Sequence, residues 1–287
     1  MATKVFATNI APWADHEWPE VFATSKSLSP KAFLAFRFIS AATFLGHAVA
    51  HILWRLEEGD GWYYWGYLTH IAVWVEVVSE ILLVILAIQG YRSLSAPRLS
   101  TLPTLVRVEM AIYAIVLPTS LLVVVLYWTL VRPIWDVVSG VEDVPSYLSI
   151  FVHLLNFILL IVGLFLSRLP YSINRIGWSL LFGFSYVAWT IIHFLAQIGS
   201  PRGCDQYPTR EECPLYDAWD WNNPTIPTII SVSLLFVLPL VGLIYVGFVG
   251  CRNGCDPLLK NKGASAPVGE NLEEGKTNVE SVEKFQK

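Results

Sequence analysis

The chain reads as an all-α, polytopic membrane protein, a bundle of six transmembrane helices, and three observations predict it. Of its 287 residues 54% are hydrophobic and only 15% charged, with a mean hydropathy of +0.52, well above that of water-soluble domains. The apolar residues fall in six long uncharged or nearly uncharged stretches, each close to the ~20 helical residues that cross a hydrocarbon core. These stretches are apolar on most faces, whereas a membrane barrel shows short alternating segments.

The first stretch, Ala32 to Trp54, follows a polar leader that contains Trp13, Asp15, Glu17 and Glu20. That leader is too long and too acidic for a cleaved secretion signal, so the stretch is retained as a helix. The others run from Tyr67 to Gln89, Leu105 to Trp128, Tyr147 to Arg168, Ile176 to Ile198 and Ile226 to Gly250. The organisation is therefore an N-terminal segment 1–31, a transmembrane domain 32–250 and a tail 251–287. The tail is Gly/Glu/Lys-rich and poor in aromatics, a composition that predicts disorder because it lacks the apolar area to offset the entropy of ordering.

Basic residues orient the bundle. Lys4, Lys26, Lys31, Arg92, Arg98, Arg168, Arg175, Arg252, Lys260 and Lys262 lie on one side. The other side has Arg55, Arg132, Arg202 and Arg210 among many acids. Both termini are expected in the cytoplasm, with the protein integral to the plasma membrane or an endomembrane. Cys204 and Cys213, in the long loop on the far side, are expected to form a disulfide, and Cys251 and Cys255, just past the last helix on the cytoplasmic side, are candidate palmitoylation sites. Unmodified thiols remain the alternative for that second pair. A net charge of -4 without a basic stripe excludes a nucleic-acid partner, and no Walker loop or dinucleotide fingerprint is present.

Five of the six histidines lie in the helices, all toward the non-cytoplasmic end: His47, His51, His70, His153 and His193; only His16 lies outside. Ionisable groups in a membrane helix are expensive, so they are expected to face protein. At 100° per residue Thr69, Glu76 and Glu80 share a face of the second helix. Ser40, His47 and His51 share one on the first, Ser149, His153 and Asn156 one on the fourth, and Tyr186, His193 and Gln197 one on the fifth. Together they predict a polar chamber beneath the outer surface, which kinks at Pro118 and Pro239 would widen.

Tyr67-Leu68-Thr69-His70, Leu126-Tyr127-Trp128-Thr129, His153-Leu154-Leu155-Asn156, Ser167-Arg168-Leu169-Pro170 and the later Tyr216 with Asp220-Trp221-Asn222-Asn223-Pro224 occur in order. This series resembles the rolling stone family of membrane proteins, itself similar to the androgen-induced (FAR-17a-like) membrane hydrolases, six-helix enzymes that cleave esters of hydroxy fatty acids. The resemblance implies a threonine nucleophile at Thr69 and a histidine base at His153. It departs where those enzymes carry a second histidine and a threonine and this chain reads Leu154-Leu155-Asn156-Phe157. A neutral imidazole can take the threonine proton and return it to the leaving alcohol. Asn156 would orient the imidazole or hold an oxyanion, with His70 and His193 in support.

The expected activity is intramembrane threonine/histidine hydrolysis of lipid (fatty acid) esters, with membrane lipids as partners and no cofactor. Two other classes stay open. One is a non-catalytic multipass surface protein acting in cell contact or membrane fusion, which the rolling stone resemblance also implies. The other is a histidine-ligated metal or haem protein, with His47 and His51 at i, i+4 as the first ligands. Oligomeric state is not encoded in any motif.

Overall fold

The computed structural model describes residues 18–59, 61–94, 103–132, 146–200, 214–216 and 219–254. Six helices are long and apolar enough to cross a membrane, and no named strand occurs among the described residues. A short helix α1 (Trp18–Ala23) precedes α2 (Pro30–Glu57), α3 (Leu68–Ser93), α4 (Thr104–Leu126), α5 (Tyr147–Leu166), α6 (Ile176–Leu195) and α7 (Thr225–Gly254). The six spans agree with the apolar stretches in the sequence to within a few residues. The protein is a multipass membrane protein.

Local signals explain where helices begin. Ser29 caps α2, its hydroxyl accepting from the Ala32 N–H, with Pro30 in the first turn, where a missing N–H costs nothing. Ser146 caps α5 in the same way through the Ser149 N–H. Pro118 inside α4 leaves the Ala114 carbonyl without its helical donor, and the Ser179 hydroxyl of α6 donates to that oxygen instead.

The most apolar stretches of α3 and α4 are 56% buried, against 28–33% for the other four spans, so these two form the inside of the bundle. Their core includes Val73, Val77, Leu83, Leu86, Met110, Leu117, Leu160 and Tyr245. Outward-facing side chains such as Ile39, Leu53, Phe236 and Leu240 are exposed and apolar, as a lipid-facing surface requires. Two π-turns interrupt the regular helices, Tyr127–Val131 at the end of α4 and Phe151–Leu155 within α5, and they face each other through the Trp128 indole N–H, which donates to the His153 carbonyl.

One end of the bundle gathers both described termini. There α1 packs on α3, so closely that a Cβ on Gly90 would meet the Pro19 carbonyl at 2.7 Å. The Ser25 hydroxyl donates to Leu166 O at 2.6 Å, and Lys26 Nζ donates to Arg252 O at 2.9 Å. The Arg252 guanidinium in turn donates to the carbonyls of Leu164, Ser167 and Leu169, closing the end of α5. The opposite end carries the 3-10 turn Gly61–Gly66 and the segment around Tyr216. Nothing in the sequence reading anticipated α1, which lies inside the segment taken as polar.

Candidate functional site

The site begins at the N-terminus of α3. Helix starts leave N–H groups without partners, and the N-cap residue Tyr67 makes no side-chain cap bond. A distant side chain approaches them: the phenol of Tyr216 lies within reach of the Leu68 and Thr69 N–H groups and of the Thr69 hydroxyl. Tyr186 donates its hydroxyl proton to Gly66 O at 3.0 Å and lies close to Tyr216. The Trp189 indole reinforces Gly66 O at 3.3 Å. Burial pushes the Tyr216 hydroxyl well above the ordinary phenol range, opposed by its Thr69 bonds, so the group is neutral at physiological pH.

The next residue, His70, belongs to a group of imidazoles. His70 donates from Nδ1 to Tyr64 O at 2.7 Å and lies stacked on the Tyr64 ring at 4.2 Å, with His51 edge-on at 4.8 Å. Tyr64 is fully buried and accepts from the Trp74 indole at 3.3 Å. Desolvation raises its hydroxyl to about 12, with the Trp74 bond and Arg55 opposing. His153 donates from Nδ1 to Ser149 O at 2.8 Å and stacks on Tyr127 at 3.5 Å. A carbonyl can only accept, so Nδ1 carries the proton in both His70 and His153 and Nε2 presents the lone pair of a base. His153 lies within electrostatic range of His51 and His70.

The structure divides the remaining candidates. Asn156 is fully enclosed and donates from Nδ2 to both carboxyl oxygens of Glu76 at 3.2 and 2.9 Å. It therefore faces α3 rather than His153: the π-turn Phe151–Leu155 rotates the two residues onto different faces, which a count at 100° per residue does not anticipate. His193 is buried and sits edge-on to Trp189 at 6.1 Å, one residue away from the group on Gly66. His47 stacks on Phe151 at 3.8 Å and bonds Tyr147 at 2.7 Å, while His51 turns to His70. Among the described residues no three His, Cys, Asp or Glu side chains are arranged to hold a metal ion. Cys251 is exposed at the end of α7; Cys204, Cys213, Cys255, His16 and the tail lie outside the described residues.

A narrow apolar cleft, with free space of only about 10 Å³, opens next to the α3 N-terminus, lined by Leu68, Leu122, Phe182, Tyr186, Trp219 and Leu238 among others. It shares Leu68 and Tyr186 with the Thr69 group. The sequence singled out the segment containing Tyr216 without giving that residue a role, since only the fold brings it to Thr69.

No curated protein and no solved structure matches the chain. Residues 31–211, from the first transmembrane helix through the fifth and beyond it, match the FAR-17a/AIG1-like protein model, and with more than half of its length matched the chain belongs to the FAR-17a/AIG1-like family.

Proposed function

We propose that the chain is an intramembrane hydrolase of lipid esters in which Thr69 is the nucleophile and His153 the general base. The observation that carries the reading is the α3 N-terminus, where a threonine hydroxyl lies beside two backbone N–H groups that no side chain of the N-cap residue caps, with the Tyr216 oxygen close by. An ester carbonyl oxygen entering from the apolar cleft takes the place of the phenol oxygen. Donors fixed at a helix N-terminus then stabilise the charge it acquires.

In this mechanism Thr69 Oγ attacks the ester carbon as Nε2 of His153 takes its proton. The tetrahedral oxyanion rests on the Leu68 and Thr69 N–H groups. Collapse breaks the bond to the alcohol oxygen, which receives the proton from the imidazolium, and leaves an acyl-Thr69. Water, deprotonated by the same Nε2, attacks the acyl carbon and releases the fatty acid while the threonine oxygen regains its proton. In the resting arrangement Thr69 bonds Tyr216 and His153 bonds Ser149; catalytic contacts of this kind tighten when substrate displaces a resting partner. His70, with its own Nε2 presented, supports the layer electrically. We place this end of the bundle on the non-cytosolic face, because the basic residues Lys26, Arg168, Arg175 and Arg252 crowd the other end.

The test is hydrolysis of lipid esters by purified protein, with labelling by a hydroxyl-directed fluorophosphonate probe. Thr69→Ala should abolish labelling and lower the rate by about 10³-fold or more, and His153→Gln should lower it by about 10²–10⁴-fold. Undiminished hydrolysis by Thr69→Ala removes the nucleophile assignment, and wild-type protein without any esterase activity returns the chain to the non-catalytic surface-protein reading.

A further inference from the structure

Deeper in the bundle lies a second polar group that the hydrolytic mechanism does not use. Glu76 and Glu80 stand one turn apart on α3, Glu109 projects from α4 and Arg37 from α2, and all four are at most 3% exposed. Asn156 holds Glu76, the Ser40 hydroxyl lies close to Glu80, and the Ser79 hydroxyl donates to Glu109 Oε1 at 2.8 Å. Arg37 lies within electrostatic range of Glu80 and Glu109, its guanidinium resting over the Phe33 ring at 4.9 Å.

Two features mark this group as more than a packing device. The second carboxyl oxygens of Glu80 and Glu109 and the hydroxyl of Tyr113 are enclosed and have no hydrogen-bond partner among the described residues. Tyr113 is within electrostatic range of Glu80, Glu109 and Arg37, so the three orphaned groups belong to one neighbourhood. Charge balance supplies the second feature. Three carboxylates opposite one guanidinium would leave two uncompensated negative charges far from water, and each uncompensated ion in such a place costs several kcal/mol. Two protons remove both charges and supply O–H donors where orphaned acceptors stand.

We propose that Glu76, Glu80 and Glu109 form an intramembrane proton-binding site that holds two exchangeable protons opposite Arg37. The other titratable groups facing it are Tyr113 on α4 and Tyr245 on α7; α5 contributes the non-titrating Asn156. Tyr113 is also within electrostatic range of Arg252 at the end that gathers the termini. The ligand is the proton itself, and the site stands apart from Thr69 and its ester chemistry.

Infrared spectroscopy of the full chain in lipid nanodiscs tests this. At neutral pH the aqueous carboxyls of the chain are ionised, so a C=O stretch of protonated carboxyl reports the buried group. The wild type should show this band, and it should shift when H2O is exchanged for D2O. Each of Glu76→Gln, Glu80→Gln and Glu109→Gln leaves two carboxyls opposite Arg37 and one proton, so the band should fall to about half. Arg37→Gln removes the counter-charge and should enlarge it. A wild type without the band, a band that D2O never shifts, or one that survives undiminished in all three glutamine variants overturns the proposal. Gel filtration of each variant confirms that the bundle is intact, and glutamine keeps the shape and hydrogen-bonding capacity of the side chain it replaces.

Discussion

Replacing Ser179 by alanine isolates one interaction that the fold needs because of a proline. Pro118 has no N–H, so the Ala114 carbonyl, in a residue that is 1% exposed, depends on the Ser179 hydroxyl for its hydrogen bond. In Ser179→Ala that carbonyl is buried without a donor, at a cost of about 1–3 kcal/mol. In a Pro118→Ala background the restored N–H serves the carbonyl, and the same Ser179→Ala change should cost about 0.5 kcal/mol or less. The double-mutant cycle therefore predicts a coupling of about 1–2 kcal/mol between residues on different helices. The Tyr171 hydroxyl also lies close to Ser179, and because that contact is lost in both backgrounds it cancels from the cycle. Reversible unfolding in mixed micelles, followed by tryptophan fluorescence, measures all four corners. A coupling below about 0.5 kcal/mol would refute the view that the hydroxyl substitutes for the missing backbone donor.

Arg252→Ala removes three charge-assisted bonds from the carbonyls that end α5 and should destabilise the bundle by about 3 kcal/mol or more, with Arg252→Lys recovering only part because an ammonium cannot present a planar fork; the same micelle unfolding reads both. Asn156→Leu withdraws the amide from both oxygens of Glu76 and should lower stability by about 1–3 kcal/mol, yet leave probe labelling of Thr69 in place, whereas loss of labelling at full stability would restore Asn156 to the esterase site. Tyr64 is an acid whose folded-state value lies near 12 against an ordinary 10, so its contribution is intact below about pH 10 and fades as pH rises toward 12. Tyr64→Phe should accordingly flatten the alkaline fall in melting temperature over that window.

The spans of the bundle were legible because each is a single uninterrupted apolar run, and hydrophobicity at membrane scale leaves few alternatives. Helix α1 was not, although Trp18, Val21 and Phe22 show the i, i+3, i+4 spacing of an apolar stripe. One and a half turns beside acidic neighbours carry too weak a periodic signal. The meeting of His51 with His70 is readable from chain direction, and Ser149 stays beside His153, but Asn156 leaves the face expected for all three because the π-turn, with its extra residue per turn, shifts everything beyond it. Tyr216 reaches Thr69 only through tertiary folding, and no local pattern announces it. Arg37 and Glu109 were readable in principle, as charges stranded within apolar runs; a reading focused on histidines and the α3 stripe passed over them.

The bond from Lys26 to the Arg252 carbonyl has a consequence for biosynthesis. It joins a residue made before α2 to one in the last turn of α7, and Ser25 is fastened to the end of α5 beside it. During translation the segment around Lys26 must wait, unanchored, until the ribosome has delivered α7. Only a product that includes α7 can fasten the latch, so shorter nascent fragments would present a loose arm to the quality-control machinery of the cell.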